Sequence, residues 1–214
     1  MNLKLRTLIA LATVIMLNCA DGMAQQTATQ AFSTIPRKVM PLFDDNARLD
    51  MIDYFNSNMS NSTQNNYGGR SRVTAISPEQ LTLKMTDASD CQISILPDGK
   101  DGLIAMITTV ASPTPDSRMT VYSSDWSRDL TSSVFTKPTL SDWLTPEGKK
   151  NSATVETSVP FLLISYSYDP ATRTLTLTNN TDEFLGKDVY EPLSGYLLEK
   201  IDYQFNGKRF NRIK

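Results

Sequence analysis

Apolar residues alternate with polar ones through much of this chain, which is the pattern of strands in antiparallel sheets. LIAMITTV (103–110) is instead almost entirely apolar and rich in branched side chains, which predicts a central strand covered on both faces. The clearest period of two lies in LTLKM (81–85), CQISI (91–95) and RMTVYS (118–123).

One amphipathic helix is predicted before these strands. Asp45 or Asn46 can cap it, and its first turn begins near Ala47. Its apolar stripe at three- and four-residue steps consists of Leu49, Ile52, Phe55 and Met59.

The second half of the chain has a similar pattern. TLSDWL (139–144) predicts a short helix that Pro146 ends. FLLISYSY and TRTLTLTN flank a tight turn at 169–171, and YLLEKIDYQF and KRFNRI flank the hairpin dipeptide Asn206-Gly207. A two-residue turn there places Tyr203 opposite Phe210.

These elements predict the α+β class: a predominantly antiparallel sheet with one or two packed helices. We expect two tandem helix-plus-strands repeats, at about 41–130 and 138–214, within a single domain at 41–214. Residues 25–40 (QQTATQAFSTIPRKVM) are mostly polar and show no period, which predicts a flexible linker.

Residues 1–24 have the parts of a secretory signal peptide: a positive start, the apolar run LIALATVIML, and a small-residue site for cleavage after Ala24. The run is too short to span a bilayer, which takes about 20 apolar residues. We therefore expect export to the periplasm or the cell surface without a membrane span. A lipid on Cys19 is the less favoured alternative, because small residues do not precede it.

Composition excludes several classes of chemistry. The chain of 214 residues carries 21 Lys and Arg, 23 Asp and Glu, and no histidine. A net charge of −2 lacks the basic surplus of nucleic-acid-binding proteins. Without imidazole, there is no Ser-His-Asp or Cys-His relay and no histidine metal site. Cys91 shares a strand face with Ile93 and is interpreted as a buried apolar residue. We predict no catalytic residues, no metal and no cofactor.

Aromatic residues beside carboxylates are the candidate ligand-binding features. A flat ring can cover the apolar face of a sugar while an acid accepts its hydroxyl hydrogens, and the same rings anchor protein interfaces. For either tryptophan, core packing is the favoured interpretation and ligand binding the alternative. The candidates are Tyr122, Asp125 and Trp126 after a predicted strand, and Asp142 with Trp143 in SDWL.

Three stretches resemble the secreted Bacteroidales family called domain of unknown function 3256: PLFDDNARLDMIDYFNSNM, LTLKMTDASDCQISILP and MITTVASPTPDSRMTVYSSDW. The resemblance covers about residues 38–214 and implies an exported protein of a Gram-negative gut or oral bacterium. It assigns no catalytic residue. The helix-plus-strands plan is also similar to the tandem repeats of beta-lactamase-inhibitor proteins, a likeness of architecture alone.

The favoured function is a non-enzymatic exported binding or interaction protein of the bacterial cell envelope, with a protein or an envelope glycan as partner. Enzymatic activity is left open. One alternative is a carboxylate-dependent glycan hydrolase, which needs two facing acids, one with a raised pKa. The other is a structural or assembly factor of the envelope, held through an apolar patch or a strand edge.

Overall fold

Two antiparallel sheets form the frame of the protein, which confirms the predicted α+β class. The computed structural model describes residues 25–111 and 113–213, so the predicted signal peptide and Cys19 lie outside the described residues. The six strands of the first sheet are neighbours in chain order: β1 (Thr63–Gln64), β2 (Arg70–Ile76), β3 (Gln80–Thr86), β4 (Ser89–Leu96), β5 (Leu103–Val110) and β6 (Asp116–Ser123). The second sheet also follows chain order, through β7 (Ile164–Asp169), β8 (Thr174–Asn179), β9 (Lys200–Phe205) and β10 (Phe210–Arg212).

Short helices surround the sheets. Two precede the first sheet: α1 (Ala28–Ser33) and α2 (Asp45–Asn56). The others lie between or after the strands of the second half: α3 (Thr131–Val134), the 3-10 helix η1 (Leu140–Trp143), α4 (Pro146–Lys150), α5 (Ser152–Ser158), α6 (Thr181–Leu185), α7 (Lys187–Tyr190) and η2 (Glu191–Tyr196). The division into repeats at 41–130 and 138–214 stays a prediction.

The first sheet buries both of its faces. One face packs under α1 and α2 and includes Cys91, Ile93 and Ile104. The opposite face packs on the second sheet and includes Ala105 and Ile107. Because β5 contributes to both cores, the prediction of a central, doubly covered strand at 103–110 is confirmed.

Side chains of the first sheet seal the free edge of β7. Three amides of β7 each donate a hydrogen bond of 3.0 Å across the gap between the sheets. A strand edge left bare would pair with other chains, so these contacts both join the sheets and protect the edge. The donor and acceptor pairs are Ile164 N with Asp116 Oδ1, Tyr166 N with Ser117 Oγ, and Tyr168 N with Gln92 Oε1.

Residues 25–40 do not form the flexible linker that their composition predicts. Thr27 and Gln30 form a capping box that starts α1. The apolar residues that follow are spaced for one helical face and are buried in the first core: Ala28, Ala31, Phe32 and Ile35. This stripe spans barely two turns, so the polar residues between its members dominate the composition.

Local details differ from the sequence predictions in three places. Asp44 caps α2 instead of Asp45 or Asn46, and Leu49 of the predicted stripe is exposed. Pro146 begins α4 instead of ending a helix, because the first turn of a helix needs no proline N–H. In the last hairpin, Asn206 Oδ1 accepts from two turn amides, and the longer turn sets Phe210 opposite Phe205, not opposite Tyr203.

Candidate functional site

Trp126 is buried in the core beneath α1. Its ring is 2% exposed, and its Nε1 donates to the carbonyl of Ala31 at 3.2 Å, which holds α1 against the sheet. Its backbone adopts a φ of 62°, so the chain turns the ring inward directly after β6. The ring of Tyr122 lies 5.2 Å away, centre to centre. Because the indole is buried, it cannot lie flat on a sugar as the sequence suggested.

Asp125 is exposed, and its Oδ1 is committed to its own turn. Oδ1 accepts from Ser123 Oγ at 2.5 Å and from Ser127 Oγ at 2.7 Å and N at 3.0 Å. These donors, the Ser123 hydroxyl first, lower the pKa of Asp125 to about 2. Tyr122, Asp125 and Trp126 therefore lie close together, at the end of β6 and in the turn that follows it.

Asp142 and Trp143 belong to the other core. Trp143 is 1% exposed, so it is also unavailable as a sugar platform. Asp142 Oδ2 accepts from the backbone N of Thr139 at 2.7 Å and its hydroxyl at 2.8 Å, which caps η1 and lowers the pKa of Asp142. Ligand binding by the five candidates stays a prediction, but neither tryptophan has the exposure that their expected role requires.

The outer edge of β6 is closed along its second half only. Thr131 Oγ1 accepts from Val121 N at 2.9 Å, and Leu130 N donates to Val121 O at 2.7 Å. Ser123 N then donates to Arg128 O at 3.0 Å. Main-chain groups of every second residue in an antiparallel edge strand point away from the neighbouring strand. The outward groups of β6 are therefore those of the odd-numbered residues.

Ser117 and Met119 continue this outward series in the first half of β6. Among residues 25–111 and 113–213, no group hydrogen-bonds to their backbone N–H or C=O. Ser117 uses its hydroxyl for Tyr166, but this leaves its main chain free. The main chain of this short length of strand edge is therefore unpaired, and both residues are almost fully buried, at 7% and 5% exposed.

A groove of about 710 Å³ runs along this edge. The Thr120 side chain lies in it, nine-tenths buried, and its hydroxyl has no hydrogen-bond partner among the described residues. Half of the lining residues are apolar or aromatic: Val39, Met106, Val110, Met119, Tyr122, Phe135 and Tyr166.

The charged residues of the groove are mainly basic. Arg118 and Lys137 are exposed on its walls and form no salt bridge within the part of the chain that the structure describes. Asp116 is the one acidic residue among the described residues that line the groove, and its Oδ1 already accepts a hydrogen bond from Ile164 N. The groove therefore favours an occupant with negative charge.

The other sheet edges are protected more fully. β1 has two residues and β10 has three, while a bulge between Val73 and Ala75 interrupts β2. The edge of β7 is sealed by side chains. Short strands, bulges and covering groups are the usual means of preventing edge pairing. The open half of β6 differs from these edges in lying beside a groove.

The sequence indicated β6 but not its role. RMTVYS predicts a strand by alternation, whereas an edge position depends on which strands lie beside it. Of the five candidate residues, Tyr122 is the one that lines the groove. Ser117, Met119 and Thr120 carry no local signal that marks them as part of a site.

Matches to known proteins agree with this fold. Residues 20–210 match the family described as "Protein of unknown function (DUF3256)". The chain belongs to this family. The DUF3256 chain is also similar in fold to a domain of an uncharacterized protein from Porphyromonas gingivalis W83, with a TM-score of 0.73 and 20% identity over 86% of this chain and 98% of that one. Among curated proteins, none matches it.

The described residues of this DUF3256 protein contain neither a metal-binding cluster nor a membrane-spanning helix. In residues 25–111 and 113–213, no three His, Cys, Asp or Glu side chains gather to hold a metal ion. None of the helices in those ranges combines the length and apolar character needed to cross a bilayer.

Five aspartates of the described residues have a lowered pKa, because hydroxyl or backbone groups donate to their carboxylates: Asp125, Asp129, Asp142, Asp169 and Asp202.

Proposed function

We propose that this protein is an exported, non-catalytic binding protein of the cell envelope, and that the groove holds an extended segment of a partner protein. The observation that carries the proposal is the unpaired main chain of Ser117 and Met119 beside a groove of about 710 Å³. An extended peptide can add a strand to such an edge and obtain affinity from main-chain hydrogen bonds.

Three features support a peptide over a glycan. The groove offers a row of main-chain donors and acceptors, which a strand matches and a sugar ring does not. Both tryptophans that a sugar could stack on are buried. A hydrolase would need an acid with a raised pKa, whereas the perturbed aspartates have lowered values that favour the ionised form.

The test begins with two panels, one of displayed seven-residue peptides and one of envelope glycans. We expect peptides to bind, and amide hydrogen exchange to slow at Ser117 and Met119 when they do. Met119→Pro should abolish binding because it removes one edge N–H, and an edge strand tolerates proline in that position. Met119→Leu keeps the N–H and the apolar side chain, and is the matched control.

The amide measurement uses the unaltered protein, so a folding defect in the proline variant would not obscure the result. Binding of glycans alone would overturn the proposal. Peptide binding without protection at Ser117 and Met119 would show that the site lies elsewhere.

A further inference from the structure

A second, smaller cavity of about 280 Å³ adjoins the groove. Lys137 and Tyr166 line both cavities, so the two share a wall. The rest of the smaller cavity is apolar: Leu140, Trp143, Val159, Pro160, Phe161, Leu162 and Ile164 are among its lining residues. We call it the apolar extension.

Phe161 of the apolar extension forms an exposed aromatic pair with Phe184. Phe161 is 49% exposed and Phe184 is 45% exposed, and their ring centres lie 5.2 Å apart. A pair of large exposed apolar side chains is costly in water and is typical of a surface that a partner covers. Aromatic residues in this position are frequent anchors of protein interfaces.

Charge distinguishes the two parts of the surface. Lys137 stands where the groove meets the apolar extension, and Arg118 lies on β6 itself. The apolar extension contains no acidic lining residue. Arg118 and Lys137 outnumber Asp116 in the groove lining, so a segment that pairs with β6 meets a net positive charge there and an apolar cavity next to it.

We infer that the groove selects an extended partner segment with an acidic side chain facing Arg118 or Lys137 and an apolar side chain filling the apolar extension beside Phe161 and Phe184. This inference rests on the proposed function and specifies its ligand. Main-chain pairing with β6 supplies affinity for any strand, and the two side-chain contacts supply selection.

Three blocked seven-residue peptides test the inference by fluorescence polarisation. The first alternates threonine and valine and carries one central glutamate and one leucine near its end. The second has lysine in place of the glutamate, and the third has serine in place of the leucine. We expect the first to bind at least about tenfold more tightly than either of the others, which corresponds to about 1.4 kcal/mol.

Charge reversal in the protein gives the complementary experiment. Lys137→Glu should weaken binding of the glutamate peptide about tenfold and strengthen binding of the lysine peptide, because the attraction and repulsion exchange places. Lys208→Glu reverses a charge that is also exposed but does not line the groove, and it should change the binding of neither peptide. Phe184→Ser should weaken binding of the leucine peptide and leave binding of the serine peptide unchanged. Tyr67→Ser replaces another exposed aromatic residue and is the control, which should change neither.

The outcomes separate the two ideas. If all three peptides bind equally and still protect the Met119 amide, the selectivity inference is wrong and the proposed function stands. If none binds, both are wrong. If Lys208→Glu weakened binding of the glutamate peptide as much as Lys137→Glu, the effect would come from the net charge of the protein. The proposed contact between the glutamate and Lys137 would then be wrong.

Discussion

Tyr168 carries its hydroxyl into the core between the sheets. The side chain is almost fully buried, its ring meets Phe210 edge to face at 5.8 Å, and its hydroxyl has no partner among the described residues. Burial raises the pKa of Tyr168 to about 12. The ring thus stabilises the core while the hydroxyl opposes it, since a buried polar group without a hydrogen bond costs free energy.

Tyr168→Phe should leave the free energy of unfolding at pH 7 unchanged or raise it by about 1–2 kcal/mol, because the unpaired hydroxyl is removed and the ring is kept. Urea unfolding monitored by fluorescence measures this. Tyr67→Phe, at an exposed position, is the control and should match the unaltered protein. A loss of more than about 1 kcal/mol would reveal a hydrogen bond that this hydroxyl makes.

Alkaline pH should destabilise the protein, and Tyr168→Phe should reduce that effect. In the unfolded chain a tyrosine ionises near pH 10, whereas Tyr168 and Tyr166 ionise near 12 when folded. Their contribution to stability is complete below pH 10 and falls as the pH rises from 10 to 12. Burial also raises the pKa of Cys91 to about 12, which adds a loss that begins near pH 9. Urea unfolding midpoints of the unaltered protein and of Tyr168→Phe, measured between pH 8 and 11.5, test this expectation. An equal fall of the midpoint with pH in both proteins would contradict it.

At the scale of single elements, Arg48 holds the first two helices together. Its guanidinium is buried and donates to the carbonyls of Phe43 at 3.1 Å and Ser33 at 3.4 Å, which join α2 to the preceding loop and to the end of α1. It also pairs with Asp45, whose side chain is exposed.

Arg48→Met should lower the free energy of unfolding by about 2–4 kcal/mol, because buried carbonyls lose their donor. Asp45→Asn should cost less than about 1 kcal/mol, since the exposed acid adds little to a guanidinium that keeps its carbonyl partners. Urea denaturation of both variants measures the two values. Similar losses would mean that the ion pair, not the carbonyl contacts, carries the stability.

Gln92→Leu should uncover one amide of β7. The side chain of Gln92 accepts from Tyr168 N at 3.0 Å and donates to Tyr168 O at 2.9 Å. We expect a loss of about 1–3 kcal/mol and faster hydrogen exchange at the Tyr168 amide. Gln204→Leu removes an exposed contact with Thr172 O and should change stability by less than about 0.5 kcal/mol.

The sequence predicts the elements whose signal is local. β5 follows from a run of branched apolar residues, and its two-sided burial from the absence of alternation. The resemblance to the family is confirmed by the match over residues 20–210. α1 is missed because its apolar stripe is short. The last hairpin register is missed because the Asn206 side chain builds a longer turn than the dipeptide predicts.

The groove could not be predicted in the same way. Its two parts lie on segments distant in the chain, and the open edge depends on the order of the strands in space. The burial of the tryptophan candidates could not be predicted for a related reason. Whether Trp126 faces water or the core depends on α1, to which it donates its hydrogen bond, and no pattern around Trp126 contains that helix.

At the scale of the whole molecule, the N-terminal segment belongs to the core. Phe32 and Ile35 of residues 25–40 are almost completely buried, and Met40 is nearly so. Each such side chain stabilises the fold by about 1.5–3 kcal/mol. Their sum is comparable with the net stability of many domains, which is about 5–15 kcal/mol.

Deletion of residues 25–40 should therefore prevent cooperative folding. Near-ultraviolet circular dichroism should lose its signal, and limited proteolysis should cut throughout the chain. The double variant Arg37→Ser, Lys38→Ser changes exposed positions of the same segment and should fold normally. A folded, protease-resistant deletion variant would show that α1 is dispensable.

The amides of β7 also determine what happens when the halves are parted. A fragment from residue 138 onward would lack Asp116, Ser117 and Gln92, the acceptors for those three amides. The unpaired amides at its free strand edge would donate to carbonyl oxygens of a second copy, and its uncovered apolar face would pack against that copy. Light scattering per unit mass of the fragment should therefore grow with concentration, while that of the intact protein should stay constant. Proteolytic nicking between the halves would thereby convert the intact protein into a seed for self-association.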